Sequence, residues 1–104
     1  MMLIYTTCKD EFEAKKISEI LLKEKLIACA NIIQSKSLYF WQGELKNENE
    51  SILLIKTIKD KSNLVVTKIK QLHSYRLPAI IQIEGTATIE FEKWLSGVMN
   101  EKHF

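Results

Sequence analysis

Ser51–Lys59 reads SILLIKTIK: four consecutive large aliphatics, Ile52 to Ile55, with Lys56 directly behind them. A strand with one wet face alternates apolar and polar residues, so a run that is apolar at successive positions predicts a strand covered on both faces. The stretch before it, Gly43–Ser51 (GELKNENES), is polar and rich in turn formers, and is expected to be the projecting tip of a hairpin. Upstream, Leu26–Glu44 alternates Ile27, Cys29, Leu38 and Phe40 against Ala28, Ala30, Tyr39 and Trp41, which is strand character. Two long antiparallel strands therefore form the centre of the fold.

The flanks complete the pattern. Met2–Cys8 is a short apolar, β-branched stretch that suits a first strand. Asp10 followed by Glu13 reads as a capping box, ahead of a helical stripe of Ala14, Ile17 and Leu21 that predicts a helix to about Lys25. Beyond the central strand, Asp60 is the expected cap of a second helix with Val65, Ile69 and Leu72 on one stripe, ending near His73. Pro78 disfavours helix at Leu77, so Ala79–Glu84 reads as a fourth strand. Thr88 then caps a third helix whose stripe holds Phe91, Trp94 or Leu95, and Val98. Strand, helix, strand, strand, helix, strand, helix is the split βαβ plan with one extra helix, an α+β sandwich.

That plan covers one sheet face with helices and leaves the other open, yet SILLIKTI, IACANII and PAIIQI are apolar on both faces. The open faces are expected to bury against other copies of the chain, because apolar patches beyond a few hundred Å² usually mark interfaces. The 104 residues fit a single domain, 1–104, and a content of 3 Gly and 1 Pro argues against a disordered or linker-rich chain. The formal charge of +2 is too small for the basic field of a sequence-independent nucleic-acid binder. No apolar run approaches the ~20 residues of a membrane helix, and Met1–Tyr5 has no basic segment ahead of it, so a cytoplasmic chain with no membrane partner is expected. Cys8 and Cys29 form no disulfide framework and are expected to be reduced.

Catalytic signatures are missing: the sequence has no Gly-rich phosphate loop, no HExxH, no CxxC and no GxSxG. The chain reads as a non-enzyme. Acylphosphatases share the split βαβ plan but rely on an arginine in the first loop, and the single arginine here is Arg76. RNA-recognition domains share it too, but SILLIKTI offers no aromatic for base stacking.

The same residues resemble the CutA divalent-cation tolerance family over essentially the full chain. YTTCKDEFEA (5–14), LIACANII (26–33), SLYFWQGEL (37–45), ESILLIKT (50–57), LHSYRLPAII (72–81) and KWL (93–95) follow the order of that family's motifs. The resemblance implies a ferredoxin-like fold in a tight homotrimer similar to that of PII signalling proteins. It also implies a role in tolerance of divalent metals, copper above all, with weak binding of a metal (copper or zinc) that is not obligatory. Some positions depart from the family pattern: Thr6 stands where copper-binding members have cysteine, Leu72 where they double the histidine, and Ala79 where a carboxylate is common. His73 is the one matching metal ligand.

Each candidate also has a plainer reading. His73 could ligate a metal, but a histidine at a helix end more often bonds a carbonyl or stabilises the helix dipole. His103, in the terminal NEKHF, reads as frayed tail. Cys8, at a strand end beside Lys9, is read as the more reactive thiol and Cys29 as a small buried hydrophobe. Lys56 interrupts an apolar strand and calls for a carboxylate, as an intersubunit ion pair, or for a small anionic ligand in a PII-like intersubunit cleft. Trp41, Lys56 and Tyr75 are the candidate ligand pocket, although Tyr39 and Trp41 serve as readily as interface anchors.

Overall fold

A computed structural model describes residues 1–100. The elements are β1 (Met2–Cys8), α1 (Glu11–Lys23), β2 (Cys29–Trp41), β3 (Glu44–Thr57), α2 (Lys59–Leu72), β4 (Ile80–Glu84) and α3 (Ile89–Asn100). They build one sheet of order β2-β3-β1-β4, every neighbouring pair antiparallel, so the α+β split βαβ plan read from the sequence is the fold. His103 lies outside the described residues.

The strand period decides what each face does. On β1, Met2, Ile4, Thr6 and Cys8 face the helices and are buried, while Leu3, Tyr5 and Thr7 face the other way. On β3, Leu53 and Ile55 are fully buried, opposite Thr6 and Ile4, and Leu54 and Lys56 point to the outer face. Helices α1 and α2 seal the inner face with Ala14, Ile17, Leu21, Val65 and Ile69, all packed against Ile4, Leu53 and Ile55. Full burial of each large aliphatic contributes about 1.5–3 kcal/mol, so this inner layer holds the chain together. Helix α3 forms a second, smaller cluster at one end of the sheet, where Leu95 and Met99 meet Ala28.

Helix α1 starts as expected, with the Asp10 carboxylate accepting from the Glu13 amide at 2.8 Å. Thr88 caps α3 through a 3.3 Å bond from the Phe91 amide. Asp60 does not cap α2: the N-cap is Ile58, without a side-chain bond, and Asp60 sits inside the first turn, where its charge complements the helix dipole. Helix α2 ends with His73 as its C-cap, its amide bonded to the Ile69 carbonyl at 2.8 Å.

The hairpin tip differs from the sequence expectation. Glu44–Ser51 is strand rather than loop, and the turn is only Gln42 and Gly43. Both have positive φ, 52° and 82°, the signs of a type I′ turn, whose twist matches that of the flanking strands. Composition misled because this half of β3 is polar for another reason. Beyond the end of β1 it pairs with β2 alone, as a two-stranded ribbon with both faces largely exposed in the single chain. The ribbon stretches the molecule to 49 × 29 × 21 Å and its radius of gyration to 14.8 Å, against about 13 Å for a compact chain of this length.

Candidate functional site

Among the described residues, one group of cysteine, glutamate and histidine side chains lies close enough together to share an ion, where the termini of three elements meet. Cys8 closes β1, Glu13 occupies the first turn of α1, and His73 caps α2. The Cys8 sulfur, one Glu13 carboxylate oxygen and one His73 ring nitrogen all lie within 4.8 Å of one another.

Hydrogen bonds hold this group in place. The Thr7 carbonyl lies 2.8 Å from His73 Nε2, and a carbonyl can only accept, so Nε2 carries the hydrogen. Nδ1 accepts from the Tyr75 amide at 3.0 Å. Glu13 accepts from the Lys9 amide with Oε1 at 3.1 Å and from the Ser74 amide with Oε2 at 2.8 Å. The second half of the expected capping box is thus shifted: Glu13 reaches the amide before the cap residue, and with its other oxygen ties down the loop after α2. The Tyr75 ring lies tilted against His73, centroids 4.9 Å apart, and its hydroxyl donates to Glu50 Oε2 at 2.6 Å. Glu50 is itself buried, at the start of the aliphatic run of β3.

The electrostatics follow from this packing. Burial, and then the negative charges of Glu13, Asp10 and Glu50, push the Cys8 thiol up to about 12. Burial also pushes the Glu13 carboxyl up, but the Ser74 side chain, the Lys9 and Ser74 amides and the His73 imidazole outweigh it and hold it below its ordinary range. Burial and the bond to Glu50 push the Tyr75 phenol up.

Reading Cys8 as the more reactive thiol is therefore wrong: it is fully buried with its thiol held protonated, while Cys29, read as a buried hydrophobe, is the partly open one. Inward orientation on β1 decides this, because Cys8 shares a face with Ile4 and Thr6. The two sulfurs sit on strands separated by β3, and Cys29 pairs with Lys56 at the far end of the ladder from Cys8 and Ser51. Thr6, on the same face as Cys8, has a buried hydroxyl with no partner among the described residues. Thr6→Val replaces that hydroxyl with a methyl of similar size and is expected to raise stability by about 1–3 kcal/mol, the cost of an unsatisfied buried polar group. A lower urea midpoint for the variant would show that the hydroxyl has a partner.

The candidate pocket residues do not meet within one chain. Tyr75 bonds Glu50, Trp41 pairs with Glu44 at the ribbon tip, and Lys56 pairs with Cys29 at the opposite end of β3. At ~3.3 Å per residue the ladder separates Trp41 from Lys56 by about 40 Å. Lys56 finds no acid: its Nζ donates to Asn31 Oδ1 at 2.8 Å and lies 6.0 Å from the Phe91 ring centre, with no carboxylate within 4 Å among the described residues. Sequence reasoning saw Glu13 only as a cap and missed Glu50. The capping box located the first without revealing its contact to Ser74, and nothing local marks the second as buried.

The profile of the CutA1 divalent ion tolerance protein family matches residues 2–98. The divalent-cation tolerance protein CutA of Pyrococcus horikoshii is 38% identical over 96 residues, covering 91% of this chain and 94% of that protein. Among solved structures, the divalent ion tolerance protein CutA1 of Ehrlichia chaffeensis superposes with a TM-score of 0.92 at 38% identity, over 96% of this chain and 95% of that one. The PII-like protein CutA of Nostoc sp. PCC 7120, in its apo form, superposes with a TM-score of 0.86 at 26% identity, over 96% and 98% of the two chains.

Proposed function

Because the chain belongs to the CutA1 divalent ion tolerance family, we propose that it is a non-enzymatic homotrimer serving divalent-cation tolerance, copper above all, and that it binds such ions weakly through His73. The observation that carries the assembly is the outer sheet face. Leu3, Tyr5, Ile52 and Leu54 are only half-buried there, and Ile33, Ile81 and Ile83 are exposed. The long free edge of β2 and the ribbon tip, with Leu38, Phe40, Trp41 and Leu45 all more than half exposed, extend the same unmet demand. Open edges and apolar faces of this kind invite strand pairing and packing by further copies. Light scattering should give the mass of three chains of 12.1 kDa each, and a stable 12.1 kDa species at micromolar concentration would refute the assembly.

Weak rather than tight metal binding suits His73, since both ring nitrogens already have backbone partners with which an ion must compete. The neighbouring donors are a thiol and a carboxylate, a mixture that favours copper or zinc over magnesium or calcium. Calorimetric titration with Cu²⁺ should show an affinity that drops in His73→Ala, and equal affinities would remove His73 from the site.

A second reading is favoured by Lys56, a cation on an apolar face whose only close polar side-chain partner among the described residues is a neutral amide. In a PII-like assembly it would present that charge to a small anion at an intersubunit cleft. A thermal-shift screen of nucleotides and organic acids tests it; no stabilisation by any of them would discard it.

A further inference from the structure

We infer that Cys8, Glu13 and His73 together form one divalent-cation site within a single subunit, in which the sulfur, not the imidazole alone, sets the preference for zinc-like and copper-like ions. The inference rests on the metal-binding reading above and names the ligands that would complete it. Three donors within 4.8 Å of one another are near enough for small side-chain shifts to gather them round one ion, and each is carried by a different element: a strand end, a helix's first turn and a helix C-cap.

The surroundings favour a cation. Glu13, Asp10 and Glu50 all act on the Cys8 sulfur with negative charge, and an ion placed beside it would meet the same field with the opposite sign of energy. Beside Cys8, on the same strand face, the Thr6 hydroxyl is buried without a partner among the described residues, so this part of the inner layer holds polar capacity that those residues do not use.

Loading the site breaks few bonds. A carboxylate has about four acceptor positions, and Glu13 uses two, on the Lys9 and Ser74 amides, so it can ligate while keeping both. Each imidazole nitrogen already makes one hydrogen bond, to the Thr7 carbonyl or from the Tyr75 amide, so an ion at the ring competes with one of them. The thiol proton leaves to solvent as the sulfur–metal bond forms, and no electron is transferred. Three protein donors leave one of the four positions around a zinc or cobalt ion to water.

Cobalt and zinc make the test, because a Co²⁺–thiolate bond has a charge-transfer absorption that imidazole and carboxylate ligands do not produce. The chain has only two cysteines, so a band that survives in Cys29→Ala assigns the sulfur to Cys8 without any change at the site. Cys8→Ala should abolish the band and weaken Zn²⁺ binding at least about tenfold, the lower end of what losing even an outer-sphere partner costs. Zn²⁺ binding that depends on His73 but comes with no thiolate band, or a band lost in Cys29→Ala, would overturn the three-residue site and leave the His73 reading standing. If neither Zn²⁺ nor Co²⁺ binds, the three-residue site falls, while the His73 reading is decided by the Cu²⁺ titration and the oligomeric mass is measured separately.

Discussion

Leu54→Asp is expected to abolish assembly and, with it, a stable fold. Leu54 sits at the centre of the outer face, paired with Tyr5 on one side and Asn31 on the other, and is half-buried with no helix above it. If copies of the chain cover this face, each buries a leucine contributing about 1.5–3 kcal/mol, and the substitution replaces that gain with the cost of a buried, unpaired carboxylate, several kcal/mol more. In the proposed trimer the loss would be repeated three times against a net stability of only about 5–15 kcal/mol. The measurement is light scattering with circular dichroism at fixed chain concentration. Leu64→Asp, the same change on the exposed side of α2, is the control and should leave both signals near wild type. A trimeric, folded Leu54→Asp would show that the outer face is not where subunits meet.

Removing the Glu13 side chain should have the next largest effect. In Glu13→Ala the amides of Lys9 and Ser74 lose their acceptor at a part-buried position, and at about 1–3 kcal/mol for each stranded group the loss is expected to total about 2–6 kcal/mol. Its pH dependence identifies the cause. The folded-state pKa of Glu13 is held below its ordinary value of 4.5, so its contribution is full above that value and disappears as pH falls through the lower folded-state one. Urea unfolding curves of wild type and Glu13→Ala should therefore be well separated at neutral pH and converge in acid. A separation that persists unchanged in strong acid would mean that packing, not the ionised carboxylate, is what the variant loses.

Where a local rule and the global fold agreed, the sequence could be read directly. Ile52 to Ile55 declared a strand wanted on both sides, and the structure shows one side sealed by α1 and α2 and the other open. Asp10 and Thr88 were recognisable as caps because their side chains act within three residues of themselves. The misreadings are cases where distant partners decide. Turn-forming residues in Gly43–Ser51 were drawn into β3 by pairing with β2, and the turn fell to a two-residue step that the polar run disguised. Cys8 reads as reactive from its place beside Lys9, but strand alternation turns it inward. The cluster around His73 joins residues 8, 13, 50, 73 and 75, from four stretches of chain, and no spacing in the sequence announces their meeting.

The tight step at Gln42 and Gly43 has a consequence for how such a protein can change over generations. Dropping one residue from a single arm of the ribbon would slip the ladder and turn Tyr39 and Trp41 to the opposite side, and a matched loss of one from each arm would still present the wrong type of pair to the turn. Reach is therefore inherited in increments, two residues at a time in both arms together. Viable lengths for this projection form a ladder of discrete sizes rather than a continuum.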